Sequence, residues 1–198
     1  MSPRRQSIRR GAGGNRGRVA LEWRGQAPYS PGMDALAAAE LYESDFHAWT
    51  EDQAGRLRAL GRRNDGLDVE NLAEEVESLG RSQRTAVCSL LARLIAHLLK
   101  LQYHPDQQPR RHWMGEVDAF RESLQREFRA SPSLRAKRHA LAAEEWRAAA
   151  RAFLRQVERD GLDARAMARR LGDADGASFD LDAEVLNEDW FPPSPAEE

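Results

Sequence analysis

His97 is the residue whose neighbours in the sequence best equip it for acid–base chemistry. It lies in the apolar run 90–101, with Arg93 one helical turn before it and Glu75 on the preceding segment. A histidine on an apolar face, flanked by a cation and a carboxylate, can act as a general base. The same residue can instead be a buried histidine whose hydrogen bonds hold helices together. Both interpretations stay open, and the structural one is favoured.

A metal site would need several ligands that converge on one point. The candidates are His97 with Glu74 or Glu77, together with His104 and His112. Helical bundles that bind two metal ions through carboxylates use paired Glu-x-x-His motifs, and residues 69–160 contain none. The sequence therefore predicts no metal site and no cofactor.

A ribonuclease is the sharpest enzymatic alternative. Helical ribonucleases of the HEPN type combine an all-helical fold with a motif in which four to six residues separate an arginine from a histidine. Arg93 and His97 are separated by three residues, as are Arg135 and His139. A HEPN-like ribonuclease or a metal-dependent enzyme centred on His97 is kept as the alternative to a non-enzymatic function.

Apolar periodicity predicts four main helices that would position these side chains. They cover about residues 41–62, 68–104, 110–129 and 132–160, followed by a short helical stretch at 164–171 and a last turn at 182–186. Asn64-Asp65-Gly66 signals a turn, and Asp68 is a capping residue. Nothing alternates in the manner of a strand. The predicted class is all-α: a bundle of about four main helices with a short C-terminal helical turn.

Large apolar residues at helical spacing predict which faces are buried. In the first two helices these stripes are Phe46, Trp49, Gln53, Leu57 and Leu60, and then Leu72, Val76 and Leu79. Gly80 is expected to allow a break or kink. A common core is expected to contain Trp49, Leu94, Phe120 and Phe153.

Charge is concentrated at the two ends of the chain. Residues 1–32 hold seven arginines and one glutamate, whereas residues 160–198 hold eleven acids and three arginines. Residues 1–32 are predicted to be disordered and to contribute nothing to folding, either as an Arg-rich tail or because Met33 is the true start. The expected domain is 33–193, with 194–198 as a C-terminal tail. The body lacks a basic face, so nucleic acid is expected to bind weakly and only through the N-terminal segment.

Composition fits one folded domain outside the membrane. Apolar residues make up 41% of the 198 residues and charged residues 31%. No uninterrupted apolar run reaches the roughly 18–20 residues of a membrane span, and Met1 to Ala20 has no apolar signal region. Cys88 is the single cysteine, which excludes an intrachain disulfide. We expect a cytoplasmic protein.

Several segments also match a known family. NLAEEVESLGRSQR, followed by LLARLIAHLLKLQYHP, resembles the bacterial family called domain of unknown function 29. LYESDFHAWTEDQAGRLR is similar to the opening helix of that family, SPSLR to the entry of its fourth helix and LDAEVLNEDWFP to its closing segment. The resemblance implies a helical fold over about 41–192 and no established activity.

The interpretation that the sequence favours is a non-enzymatic helical module that binds a protein partner. The acidic C-terminal segment, or Trp190 if it is exposed, would supply the contact. An enzyme would instead require His97 or the glutamates to line a pocket open to solvent.

Overall fold

Every regular element in the computed structural model, which describes residues 31–61, 66–172 and 178–194, is a helix. The helices are α1 (Pro31–Ser44), α2 (Phe46–Leu60), α3 (Val69–Tyr103), α4 (Arg110–Ala130), α5 (Pro132–Ala136), α6 (Arg138–Arg159) and α7 (Ala164–Leu171). A single turn of π-helix at Leu181–Val185, here called the π turn, follows them. The all-α prediction is confirmed.

Some predictions concern segments outside these residues, namely the N-terminal segment up to residue 30, the turn residues Asn64 and Asp65, and 195–198. The first described helix, α1, begins at Pro31, two residues before the expected start of the domain at residue 33. The sequence explains the difference: proline suits the first helical turn, and the alanines that follow are strong helix formers.

Helix α3 organises the fold. It runs without a break for 35 residues, and the Asp68 side chain caps it by accepting a hydrogen bond from the Asn71 backbone N–H at 3.2 Å. Its C-terminal half is apolar on both sides because α4 and α6 pack against it. The main core begins at Val87 and includes Leu94 and Phe153, both fully buried as predicted. Phe120 is only partly buried against this core.

The N-terminal half of α3 pairs with α2 instead, in a helical hairpin that we call the arm (α2 and residues 69–83). Most of the residues at the contact are small. The residues of α2 that are buried are His47, Thr50 and Ala54, and a Cβ added at Gly80 would lie 2.2 Å from Thr50 Oγ1. Gly80 is therefore a site of close approach between two helices, and α3 continues through it without the break that the sequence allowed.

This packing corrects the prediction of which arm residues are buried. Because α2 and α3 touch through small residues, the larger apolar stripes lie beside the contact line and remain partly exposed. Leu60, Leu72 and Leu79 keep 54%, 43% and 49% of their surface accessible. Trp49 is not in the main core either, since it stacks on Phe46 and meets the edge of Tyr42.

Hydrogen bonds fasten the arm to the rest of the bundle at the start of α5. The Ser131 hydroxyl accepts from the His47 backbone N–H at 3.1 Å and donates to Gln83 Oε1 at 2.9 Å. The Asp45 carboxylate accepts from both the backbone N–H and the hydroxyl of Ser133. Ser131 occupies the N-cap position of α5, but its side chain makes no capping hydrogen bond. It joins three helices instead.

The C-terminal segment packs against the body and is held there by arginines. Arg121 donates to the backbone carbonyls of Glu184, Val185 and Trp190, and Arg110 donates to the carbonyl of Pro192. The Trp190 ring is half-buried and meets Phe179 edge to face. Trp190 is therefore not the exposed aromatic contact that the sequence suggested.

One helix has the length and composition of a membrane span. An 18-residue window of α3 has a mean hydropathy of 1.3, and half of that window is buried within the fold. The core helix of a folded domain has the same properties.

The close approach at Gly80 can be tested with a matched pair of glycine substitutions. Gly80→Ala should lower the free energy of unfolding by about 1–3 kcal/mol, because the new methyl group overlaps Thr50. Gly55→Ala, in α2, meets no atom within 4 Å and should raise it by about 0.5–1 kcal/mol. Urea unfolding of both variants measures the difference. Two equal effects would show that α2 does not approach α3 this closely.

Candidate functional site

His97 lies on α3 where that helix faces α4, and both of its ring nitrogens have partners. Nδ1 is 2.8 Å from the backbone carbonyl of Arg93, so it carries the hydrogen, since a carbonyl can only accept. Nε2 is 3.1 Å from Lys100 Nζ and 2.8 Å from Glu116 Oε2. The Phe120 ring packs against the His97 ring in a T-shaped contact, with the ring centroids 5.3 Å apart.

Electrostatics favour the neutral form of this histidine. Burial lowers the pKa of His97 and Lys100 lowers it further, against the opposing effects of the Arg93 carbonyl and Glu116. Burial also lowers the pKa of Lys100. In the neutral ring, Nε2 accepts from Lys100, and on protonation it can donate to Glu116. The protonation state of the ring therefore decides which of the two neighbours Nε2 bonds.

Of the residues predicted to assist His97, only the backbone of Arg93 reaches it. Glu75 lies 22 residues earlier in the same unbroken helix, about 33 Å away along the axis. The acid beside His97 is instead Glu116 of α4. The sequence does contain a hint of Glu116, because it follows His112 by four residues, and in the structure the two side chains come within 3.6 Å. Only the packing of α4 on α3 shows that Glu116 also faces His97.

The proposed metal ligands do not come together. Glu74 and Glu77 lie on the arm, and Glu77 accepts from Arg58 at 2.5 Å. Within the described parts of the chain, no three His, Cys, Asp or Glu side chains are grouped as a metal site would require. His104 is buried and joins two elements, since its Nε2 lies 3.1 Å from Asp160 Oδ2 and its Nδ1 accepts from the Asp106 backbone N–H.

A shallow groove runs beside His97. It has a volume of about 210 Å³, and its walls include Arg93, Lys100 and Arg159. The His97 side chain is 13% exposed, and Lys100 and Glu116 already occupy the surroundings of Nε2. A substrate would have to displace one of them to reach the histidine.

The arm carries a second candidate site, which is an apolar surface. At 100° per residue, Leu72, Val76 and Leu79 lie on one side of the α3 contact line, and Leu57 and Leu60 lie on one side of α2. Arg58 pairs with Glu70 and Glu77 on the opposite side. Because α2 and α3 run antiparallel in the arm, the five apolar residues lie on the same side of the hairpin. We call this side the leucine face: Leu57, Leu60, Leu72, Val76 and Leu79.

Comparison with known proteins agrees with the family resemblance. The family described as Domain of unknown function DUF29 matches residues 41–191. A crystal structure of an alpha-helical protein of unknown function from Rhodospirillum rubrum is similar, with 27% sequence identity, a TM-score of 0.60 and coverage of 75% of this chain and 90% of that one. A search of curated proteins found no match. The resemblance inferred from the sequence is confirmed.

Two substitutions separate the hydrogen-bonding role of His97 from its charge. His97→Ala should destabilise the fold more than His97→Gln, because alanine leaves Lys100 and Glu116 without the partner that glutamine can partly replace.

The pKa of His97 is lower in the folded protein than in the unfolded chain. Below about pH 6.5 the unfolded chain therefore takes up a proton first, and the wild type should lose stability as the pH falls.

His97→Gln removes that titration, so its stability should depend less on pH between about 7.5 and 5.5 than that of the wild type. Chemical unfolding at several pH values measures both effects. Equal destabilisation by the two variants, together with an unchanged pH profile, would contradict this account of His97.

Proposed function

We propose that this chain, which belongs to the Domain of unknown function DUF29 family, is a helical protein-interaction module that binds its partner through the leucine face of the arm. The observation that carries the proposal is the partial exposure of Leu60, Leu72 and Leu79 on one side of the arm. Single exposed leucines are ordinary, whereas neighbouring ones indicate an interaction surface.

The geometry of the leucine face suits a helix as the binding element. Leu72, Val76 and Leu79 form a ridge at positions i, i+4 and i+7, and α2 supplies a second apolar row beside it. Two adjacent helices leave a groove that a third amphipathic helix can fill. The bound segment would complete a three-helix arrangement in which the leucines are buried.

The charge of the arm indicates the charge that its partner should carry. The arm contains six acids and three arginines, so it carries a net negative charge. A segment with apolar residues on one face and lysines or arginines at its edges would match this surface and associate faster than a neutral one. A catalytic function centred on His97 has less support, because both ring nitrogens are engaged.

The proposal can be tested by affinity capture with a tagged chain. Wild type and Leu72→Gln/Leu79→Gln are expressed in cells of the source organism, and the captured proteins are quantified by mass spectrometry. At least one protein should be captured by the wild type and depleted tenfold or more with the double variant, since two buried leucines contribute about 3–6 kcal/mol to an interface.

Glu74→Gln is the matched control, because Glu74 lies on the same helix but about 160° away from Leu72. It should capture the same protein as the wild type. The double variant should also melt within a few degrees of the wild type, since both leucines are exposed in the free chain. Identical capture by all three chains would overturn the proposal that the leucine face binds a partner.

A further inference from the structure

Arg121 is a fully buried cation that none of the described carboxylates contacts. It is 1% exposed, and its guanidinium donates from Nε to the Val185 carbonyl and from Nη2 to the carbonyls of Glu184 and Trp190, each at 2.9 Å. The Phe191 ring covers one side of it, with Cζ 5.0 Å from the ring centroid. Nη1 has no acceptor in the described parts of the chain.

This arrangement leaves the charge of Arg121 only partly balanced. Backbone carbonyls satisfy hydrogen bonds but carry no net charge, and Asp118 and Glu188 act on Arg121 without a hydrogen bond or ion pair. Burial accordingly lowers the pKa of Arg121. A buried cation is stable only when its surroundings compensate for the lost water, and an anion nearby would do so.

A groove with an excess of positive charge lies beside this residue. Its volume is about 630 Å³, and it is lined by Arg121, Arg129, Arg135 and Arg138, with Asp182 as its single acid. Arg138 donates two hydrogen bonds to Asp182 at 2.7 and 2.8 Å, and His139 lies 3.0 Å from the same carboxylate. Their contacts hold the pKa of Asp182 at about 2, so this acid is already fully engaged.

Two of the groove arginines have no such partner. Arg129, at the end of α4, and Arg135, in α5, are exposed, and neither side chain makes an ion pair or hydrogen bond with the described residues. Two guanidinium groups that line one groove without partners suit a phosphate or carboxylate, which each can bind through two hydrogen bonds. The groove also has apolar walls, formed by Leu124, Phe128 and Leu186.

We propose that this groove between the end of α4, α5 and the π turn is a binding site for a small organic anion. The ligand carries a phosphate or carboxylate that Arg129 and Arg135 hold, and an apolar group that packs on Phe128 and its neighbours. Arg121 forms the floor of the site and adds long-range attraction. This site is separate from the leucine face and does not depend on the function proposed for it.

Phenyl phosphate, benzoate and inorganic phosphate are the probes, used with the full chain in isothermal titration calorimetry at low salt. Phenyl phosphate should bind more tightly than inorganic phosphate, because only phenyl phosphate contacts the apolar walls. Arg129→Gln/Arg135→Gln should weaken that binding at least tenfold. Tighter binding of benzoate than of phenyl phosphate would assign the site to carboxylates, and the reverse order to phosphates.

Arg111→Gln/Arg126→Gln is the matched control, since it removes two exposed arginines of α4 that lie outside the groove. It should bind phenyl phosphate as the wild type does. Equal weakening by the two double variants would show general electrostatic attraction rather than a site, and would overturn the proposal. The absence of wild-type binding to both phenyl phosphate and benzoate at about 10 mM would do the same, because such an affinity is too weak for recognition.

Discussion

The close approach of α2 to α3 at Gly80 is the constraint on which the form of the arm depends. A Cβ at this position would lie 2.2 Å from Thr50 Oγ1, so the two helices can pack here only because one of them lacks a side chain. Small residues bring backbones close and bury little apolar surface. The contact therefore fixes the geometry of the arm, while the larger apolar side chains remain at its edge. The exposed leucines are a consequence of how the hairpin is built.

Helix α3 has two different environments along its length. From Val87 onward it is surrounded by α4 and α6 and supplies the centre of the main core. Nearer its N-terminus it pairs with α2, and its outer sides there carry charges or exposed leucines. The junction through Ser131 and Gln83 lies at the transition, where it fastens the arm to the bundle. The core thus holds the arm at a defined position, so binding of the proposed partner would need little further ordering of the arm.

Sequence periodicity predicted the elements well and their surroundings less well. Four long helices were found close to their expected positions, and Leu94 and Phe153 are in the core as expected. The stripe containing Leu72 and Leu79 does lie on one face, but a periodic pattern cannot say whether another helix covers that face. A glycine inside a helical pattern predicts a break or a kink, whereas α3 runs on through Gly80 and the missing side chain makes room for Thr50.

The site residues show the same limitation. Spacing along one helix suggested Arg93 and Glu75 as the partners of His97, whereas the carboxylate at 2.8 Å comes from Glu116 on another helix. The arginine groove had no signal in the sequence at all, because its four arginines come from α4, α5 and the start of α6, which only the packing brings together. Contacts between distant segments depend on helix crossing and rotation, which local patterns do not encode.

Hydroxyl-radical footprinting of the purified full chain tests most directly whether the leucine face is open. Modification rates measured by mass spectrometry would compare Leu60, Leu72 and Leu79 with the buried residues Leu94, Leu98 and Leu101. This account predicts that the first three are modified readily and the last three are protected. Protection of Leu72 and Leu79 to the same extent as the core leucines would show that the face is already covered in the free protein, and would contradict the account.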